Sequence, residues 1–179
     1  MHSKIGRDAV SRRTFLKAGS ASLVACTILP SGIVMGEAWA AMPRAVKPEV
    51  FATLVQMARD IYPHDRVADS YYAKAVEVLD EAAKADDAAR KELEDGIAAL
   101  DAAANKAHGT GYARVGWEAQ RTALLKEIES KPFFQKMRGN LVTGLYNNHE
   151  LWPLFGYEGE SASKGGYINR GFSDIDWLS

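Results

Sequence analysis

Three histidines among residues 41–179 are the side chains best suited to acid–base chemistry or metal binding. His64 follows a proline in a predicted loop, His108 precedes a glycine at a predicted helix end, and His149 follows two asparagines. None of them lies four residues from another histidine, and no HExxH motif is present, so no helix presents a histidine pair to a metal. We therefore expect surface or capping roles. The alternative is an enzyme site that His64, His149 and nearby carboxylates build from separate loops.

Two carboxylates near the C-terminus are the other candidates for paired chemistry. Asp174 and Asp176 flank Ile175, and residues two apart share a face of an extended segment. No histidine and no third carboxylate lies close to them in sequence. A catalytic or ion-binding pair is therefore an alternative to two solvated or capping side chains.

Motifs for cofactors and covalent catalysis do not occur in the sequence. There is no GxGxxG after a strand, no P-loop and no GxSxG nucleophile elbow. The single cysteine is Cys26, so residues 41–179 can form no internal disulfide, thiolate metal site, CxxCH haem attachment or iron–sulfur cluster. We predict that this chain contributes no catalytic, cofactor-binding or metal-binding residue.

The first 40 residues, which we call the leader, have the pattern of a targeting segment. They hold five basic and two acidic residues, whereas residues 41–179 hold 17 basic and 21 acidic ones. The stretch SRRTFLK resembles the bacterial twin-arginine (Tat) signal, which is a receptor-read address. The matching positions are Ser11, Arg12, Arg13, Phe15, Leu16 and Lys17. A Tat signal implies cargo that folds in the cytoplasm before export, usually because a cofactor must be bound first.

The stretch that follows the arginines is typical of a signal peptide. Residues 18–36 carry no charge, but glycines, serines, Thr27 and Pro30 make them less apolar than a stable transmembrane helix. Ala38 and Ala40 supply a small-x-small site, which predicts cleavage after Ala40. A lipobox-like LVAC stretch ends at Cys26, so lipidation there is an alternative that would tether the protein to a membrane. Retention of the leader as an anchor is also open.

Helical periodicity predicts an all-α body over residues 41–145, a small bundle of about five helices. Pro48 suits the first turn of the first helix, Pro63 follows its end, Ser70 is predicted to cap the second helix and Gly109 to close the third. The predicted inner faces, helix by helix, are Phe51, Leu54, Val55, Ala58 and Ile61; Tyr72, Ala75, Val76, Leu79 and Ala83; Leu93, Ile97, Leu100 and Ala104; Trp117, Leu124, Leu125 and Ile128; Phe134, Met137, Leu141 and Leu145.

Residues 146–179, which we call the aromatic tail, have no sustained period and contain five glycines. Their seven aromatic residues are Tyr146, Trp152, Phe155, Tyr157, Tyr167, Phe172 and Trp177. Disordered tails are poor in aromatic residues, so these rings need a surface that buries them. Packing on the body and contact with a partner are both open and mutually compatible, because Trp and Tyr are common interface anchors.

The tail resembles the C-terminal part of the gluconate 2-dehydrogenase subunit 3 family. The resemblance rests on TGLYNNHELWPLFGYEG at residues 143–159 and KGGYINRGFSDIDWL at residues 164–178. The stretch DIYPHD at residues 60–65 is similar to an early proline-containing turn of the family, and the Tat leader fits as well. The family is similar to small subunits of membrane-associated, FAD-dependent sugar, polyol or glucoside dehydrogenases.

The resemblance implies a division of labour between subunits. A large flavoprotein of the glucose-methanol-choline type would bind FAD and oxidise the sugar, and a c-type cytochrome subunit would take the electrons on haem c. This chain would be the non-catalytic small subunit that escorts the leaderless flavoprotein through the Tat pathway to the periplasm and stabilises it. The aromatic residues of the tail would contact the flavoprotein. The alternative is a stand-alone periplasmic helical binding or structural protein. A net charge of −1 gives no reason to expect nucleic acid.

Overall fold

A computed structural model of the chain describes residues 43–169, Phe172 and two short strands, β1 (Thr27–Ile28) and β2 (Val34–Met35). The strands pair antiparallel, with Thr27 opposite Met35. The predicted sites that lie outside the described residues are the Tat motif from Ser11 to Lys17, Cys26, the cleavage site at Ala38 and Ala40, the carboxylates Asp174 and Asp176, and Trp177.

Five α-helices make up the body in residues 43–169, as the periodicity predicts. They are α1 (Pro48–Ile61), α2 (Asp69–Ala85), α3 (Asp87–His108), α4 (Glu118–Glu127) and α5 (Pro132–Tyr146). Short 3-10 helices follow α3 at Tyr112–Arg114 and occur in the tail at Trp152–Phe155 and Ala162–Lys164. The body of the chain is therefore an all-α bundle.

The helix ends follow the local sequence, with one correction. Gly109 closes α3 in the left-handed conformation (φ 71°) and donates its N–H to the Asn105 carbonyl at 2.8 Å. The prediction that Ser70 caps α2 is wrong, because the helix begins at Asp69 and its N-cap is Ala68, which makes no side-chain cap. The carboxylate of Asp69 instead lies in the first turn, where it favours the helix dipole and pairs with Arg59 at 2.6 Å.

The predicted inner faces of α1, α2, α3 and α5 largely form one hydrophobic core. Two aromatic residues are placed differently from their prediction. Trp117 is 75% exposed, because its backbone is still extended at the N-cap of α4 and is not yet part of a helical face. In α5 the buried phenylalanine is Phe133, whereas Phe134 is half-buried. The ring of Phe133 fits where Gly96 has no side chain, since a Cβ there would lie 2.5 Å from it.

A buried carboxylate fixes the start of the body on α2. Asp80 accepts the backbone N–H groups of Arg44, Ala45 and Val46 at 2.5, 3.1 and 2.9 Å. A buried charge costs free energy unless it is hydrogen-bonded, and three backbone donors meet that need here. The chain is thus held to the bundle from Arg44 onward, four residues after the predicted cleavage site at Ala40.

A close contact joins α2 and α5. A Cβ added at Gly144 would lie 2.7 Å from the Ala75 Cβ and 3.2 Å from its Cα. One turn earlier, the Asn140 amide donates to the Ala75 carbonyl at 2.7 Å. Small residues at both positions therefore set the distance between the two helices.

We expect Gly144→Ala to lower the free energy of unfolding by about 1–3 kcal/mol, because the added methyl group forces α5 away from α2. Gly139→Ala on the same helix is the matched control, since nothing lies within 4 Å of its Cβ position. It should leave stability unchanged or raise it by up to about 1 kcal/mol. Urea unfolding followed by circular dichroism measures both, and equal stability of the two variants would contradict the close contact.

Candidate functional site

The aromatic tail begins where α5 ends and packs on the end of α1. The Tyr146 ring meets the rings of Tyr62 and His64 edge-on, each at 5.7 Å between centroids and 88° between planes. Phe155 completes the cluster at 5.0 Å from His64 and 5.4 Å from Tyr146. Edge-to-face packing is favourable for aromatic quadrupoles. The cluster joins the DIYPHD stretch to the first part of the tail.

His64 has a structural partner in this cluster. Its Nε2 lies 2.8 Å from the hydroxyl oxygen of Tyr146. Burial raises the pKa of the Tyr146 hydroxyl above its ordinary value. The hydroxyl therefore keeps its proton near neutral pH and can donate to the imidazole. Sequence reasoning expected a surface or capping role for His64 and did not foresee a partner 82 residues away.

Trp152 organises the next part of the tail. Its indole N–H donates to the Tyr146 carbonyl at 2.9 Å. The His149 ring stacks on it at 3.9 Å with a tilt of 36°, and the Tyr157 ring meets it edge-on at 4.9 Å. Gly159 lies against the same indole with φ 97°, a conformation that disfavours any side chain. Trp152 thus contacts both the turn that precedes it and the turn that follows it.

The predicted partner-contact residues separate into two groups. Tyr146, Trp152 and Phe155 are half-buried against the body or the tail itself. Tyr157, Tyr167 and Phe172 are exposed, Tyr167 to 59% and Phe172 to 78%. The rings up to Phe155 are therefore the better buried part of the tail, and these three are the more exposed part, although Tyr157 also meets Trp152.

A buried ion pair, which the sequence did not reveal, lies beside the cluster. The carboxylate of Asp60 receives Arg121 Nε at 2.7 Å and Nη2 at 2.9 Å, with side-chain exposures of 3% and 14%. The Tyr112 hydroxyl donates to the same carboxylate at 2.7 Å. Burial and the neighbouring carboxylate raise the pKa of Tyr112, so its hydroxyl stays protonated and acts as a donor. The Asp60 hydrogen bond likewise raises the pKa of Arg121.

The remaining groups of this region are a helix-end histidine and a groove. His108 is exposed in the last turn of α3. A groove of about 520 Å³ runs between the end of α1, α4 and the start of α5.

Among the described residues, no group of three or more histidine, cysteine, aspartate or glutamate side chains could hold a metal ion. No described helix is long and apolar enough to cross a membrane.

We expect Arg121→Ala to lower the free energy of unfolding by about 3–5 kcal/mol, because it leaves the Asp60 carboxylate buried without its partner. The matched control is Arg90→Ala, which removes an exposed pair with Asp87 and should cost less than about 1 kcal/mol. The measurement is the free energy of unfolding in urea. Similar losses in the two variants would show that the Asp60–Arg121 pair does not hold the body together.

Comparison with known proteins gives one match. A family model described as gluconate 2-dehydrogenase subunit 3 matches residues 48–159. The match covers α1 to α5, the aromatic cluster and the turn around Trp152, and it confirms the resemblance seen in the sequence. The second tail motif, at residues 164–178, lies beyond it. Searches of curated proteins and of solved structures found no match.

Proposed function

Because this chain belongs to the gluconate 2-dehydrogenase subunit 3 family, a family of dehydrogenase complex subunits, we propose that it is the non-catalytic small subunit of a periplasmic sugar dehydrogenase. Its partner is an FAD-dependent large subunit of the glucose-methanol-choline type, and a c-type cytochrome with haem c accepts the electrons. The observation that carries the proposal is the exposure of Tyr157, Tyr167 and Phe172 in a tail whose earlier rings, Tyr146, Trp152 and Phe155, are half-buried.

The contacts of the polar groups support a role without catalysis in this chain. The carboxylate of Asp60 is used by Arg121, that of Asp80 by three backbone amides, and the imidazole of His64 by Tyr146. Each of these partners stabilises the fold. The tail also presents three exposed aromatic residues, Tyr157, Tyr167 and Phe172, and aromatic side chains are common anchors of interfaces.

The leader supports the escort role. A Tat route carries folded cargo, and Asp80 holds the chain to the bundle from Arg44 onward. A large subunit docked on the exposed aromatic residues would then cross the membrane with this chain. Cleavage after Ala40 would leave Ala41–Pro43 ahead of the first anchored residue, whereas lipidation at Cys26 would keep the complex at a membrane.

The escort role predicts that export of the large subunit depends on the twin arginines. With Arg12→Lys and Arg13→Lys together, the cognate flavoprotein should stay in the cytoplasm, because the receptor no longer reads the address. Arg7→Lys, outside the motif, is the matched control and should leave export unchanged. The readout is flavoprotein and its FAD in the periplasmic fraction of cells that express both chains. Equal export with and without this chain would refute the escort role.

The docking role makes a separate prediction for the tail. The double variant Tyr167→Ser and Phe172→Ser should weaken co-purification with the large subunit at least about tenfold, since exposed aromatic anchors carry much of an interface. Trp117→Ser is the matched control, because Trp117 is an exposed aromatic residue outside the tail. The unfolding temperature of each variant, measured alongside, separates a loss of the interface from a loss of stability. If Trp117→Ser alone abolishes co-purification, the interface is at α4 and not at the tail.

The packing of the tail on the body favours the alternative, a stand-alone periplasmic binding or structural protein. Leu151 is fully buried, and Trp152 and Phe155 pack on residues of the same chain. Such a chain would purify as a monomer from cells that also produce the large subunit. The co-purification measurement therefore separates the two functions.

A further inference from the structure

The groove between α1, α4 and α5 has an apolar floor. Ile61 and Phe134 are half-buried and Leu125 is buried, and all three line the groove. Its volume of about 520 Å³ is that of a typical binding pocket. Because it is an open groove rather than an enclosed cavity, it suits a segment of another protein better than a small molecule that must be buried on all sides.

The unpaired charges around this floor are mostly positive. Lys126 of α4 and Arg138 of α5 line the groove, are exposed, and form no ion pair with any described residue. The groove also contains the exposed Glu129, while the carboxylate of Asp60 is already paired with Arg121. Helix α5 contains no acidic residue that could neutralise its cations. Carboxylates beside apolar side chains would therefore complement both the floor and its border.

The groove adjoins the base of the aromatic tail. Tyr62 lines the groove and meets the ring of Tyr146 edge-on at 5.7 Å. The Tyr146 carbonyl accepts the indole N–H of Trp152 at 2.9 Å, and the indole meets the exposed ring of Tyr157 at 4.9 Å. Three successive contacts thus connect the groove to an exposed ring of the tail. A standard interface covers about 800 Å² on each partner, which is wide enough for two surfaces this close.

We propose that the groove binds a segment of the large subunit in which carboxylates stand beside apolar side chains. This inference rests on the proposed function, because it adds a second contact to the same complex. The carboxylates of the segment pair with Lys126 and Arg138, and its apolar side chains cover Ile61, Leu125 and Phe134. The tail then supplies the aromatic anchors, and the groove supplies charge pairs that steer the partner and fix its register.

Association of this chain with the purified, FAD-loaded large subunit, measured at low and at high salt, tests the charge pairs. Lys126→Glu with Arg138→Glu should weaken binding at low salt at least about tenfold, because attraction becomes repulsion at two positions. High salt should narrow this difference, since it screens exposed charges. Lys106→Glu with Arg114→Glu is the matched control, because both are exposed cations outside the groove and the net charge changes equally. It should leave binding nearly unchanged.

A bulky side chain tests the floor without altering any charge. Ser130 is exposed and lines the groove, so Ser130→Trp should obstruct the segment and weaken binding about tenfold at both salt concentrations. Ala102→Trp, at an exposed position of α3, is the matched control and should bind as the unaltered chain does. The unfolding temperature of each variant, measured alongside, separates a lost contact from a loss of stability.

The outcomes distinguish this inference from the function on which it rests. If the unaltered chain does not bind the large subunit, the proposed function fails and the groove proposal fails with it. If the unaltered chain binds and all groove variants bind equally tightly, only the groove proposal is overturned. It is also overturned if the chain alone is a dimer that the groove variants convert to a monomer, because the groove would then hold a second copy.

Discussion

The buried carboxylate of Asp60 is the constraint on which the arrangement of the bundle depends. It joins three parts of the chain: α1, on which it lies, the 3-10 helix with Tyr112, and α4 with Arg121. Helix α4 has only Leu124 and Leu125 in the core, so apolar burial alone orients it weakly. The bidentate pair fixes the orientation of α4 relative to α1, because a guanidinium and a carboxylate bind each other in a common plane.

Two buried carboxylates of the body serve the fold. Asp60 and Asp80 are buried, and each is surrounded by fixed donors. Arg121 and Tyr112 donate to Asp60, and three backbone amides donate to Asp80, so both carboxylates take part in contacts that hold the fold. The surface of the tail offers the opposite, exposed rings on a segment that is fixed at its start by Trp152. Membership in a family of dehydrogenase subunits is consistent with this distribution.

The sequence predicts the helices well because each of the long ones has a clear apolar stripe. Four of the five predicted faces lie largely in the core, and Gly109 ends α3 as expected. The errors occur where the stripe is short or ambiguous. Trp117 lies at the start of a helix with few apolar positions, and Phe133 and Phe134 are adjacent, so periodicity cannot choose between them.

The polar contacts could not be predicted, because their partners lie far apart along the chain. Asp60 and Arg121 are 61 residues apart, and Asp80 and Val46 are 34 apart. A signal for the first was present: Asp60 lies three residues after Met57 on a helix that is buried on most sides. An aspartate in that place requires a partner, although the sequence does not say which. The contacts of the tail with a partner protein stay predictions.

The contact between His64 and Tyr146 has a consequence for the order of events in the cell. The end of α1 is covered only after residues 146–155 have been synthesised, because Tyr146 follows His64 by 82 residues. Until then the rings of the DIYPHD stretch are open to water and to other chains. A transport route that threads a chain during synthesis would meet the body in this unfinished state. A route that exports the chain after it has folded, as the leader predicts, would receive a body in which the end of α1 is already covered.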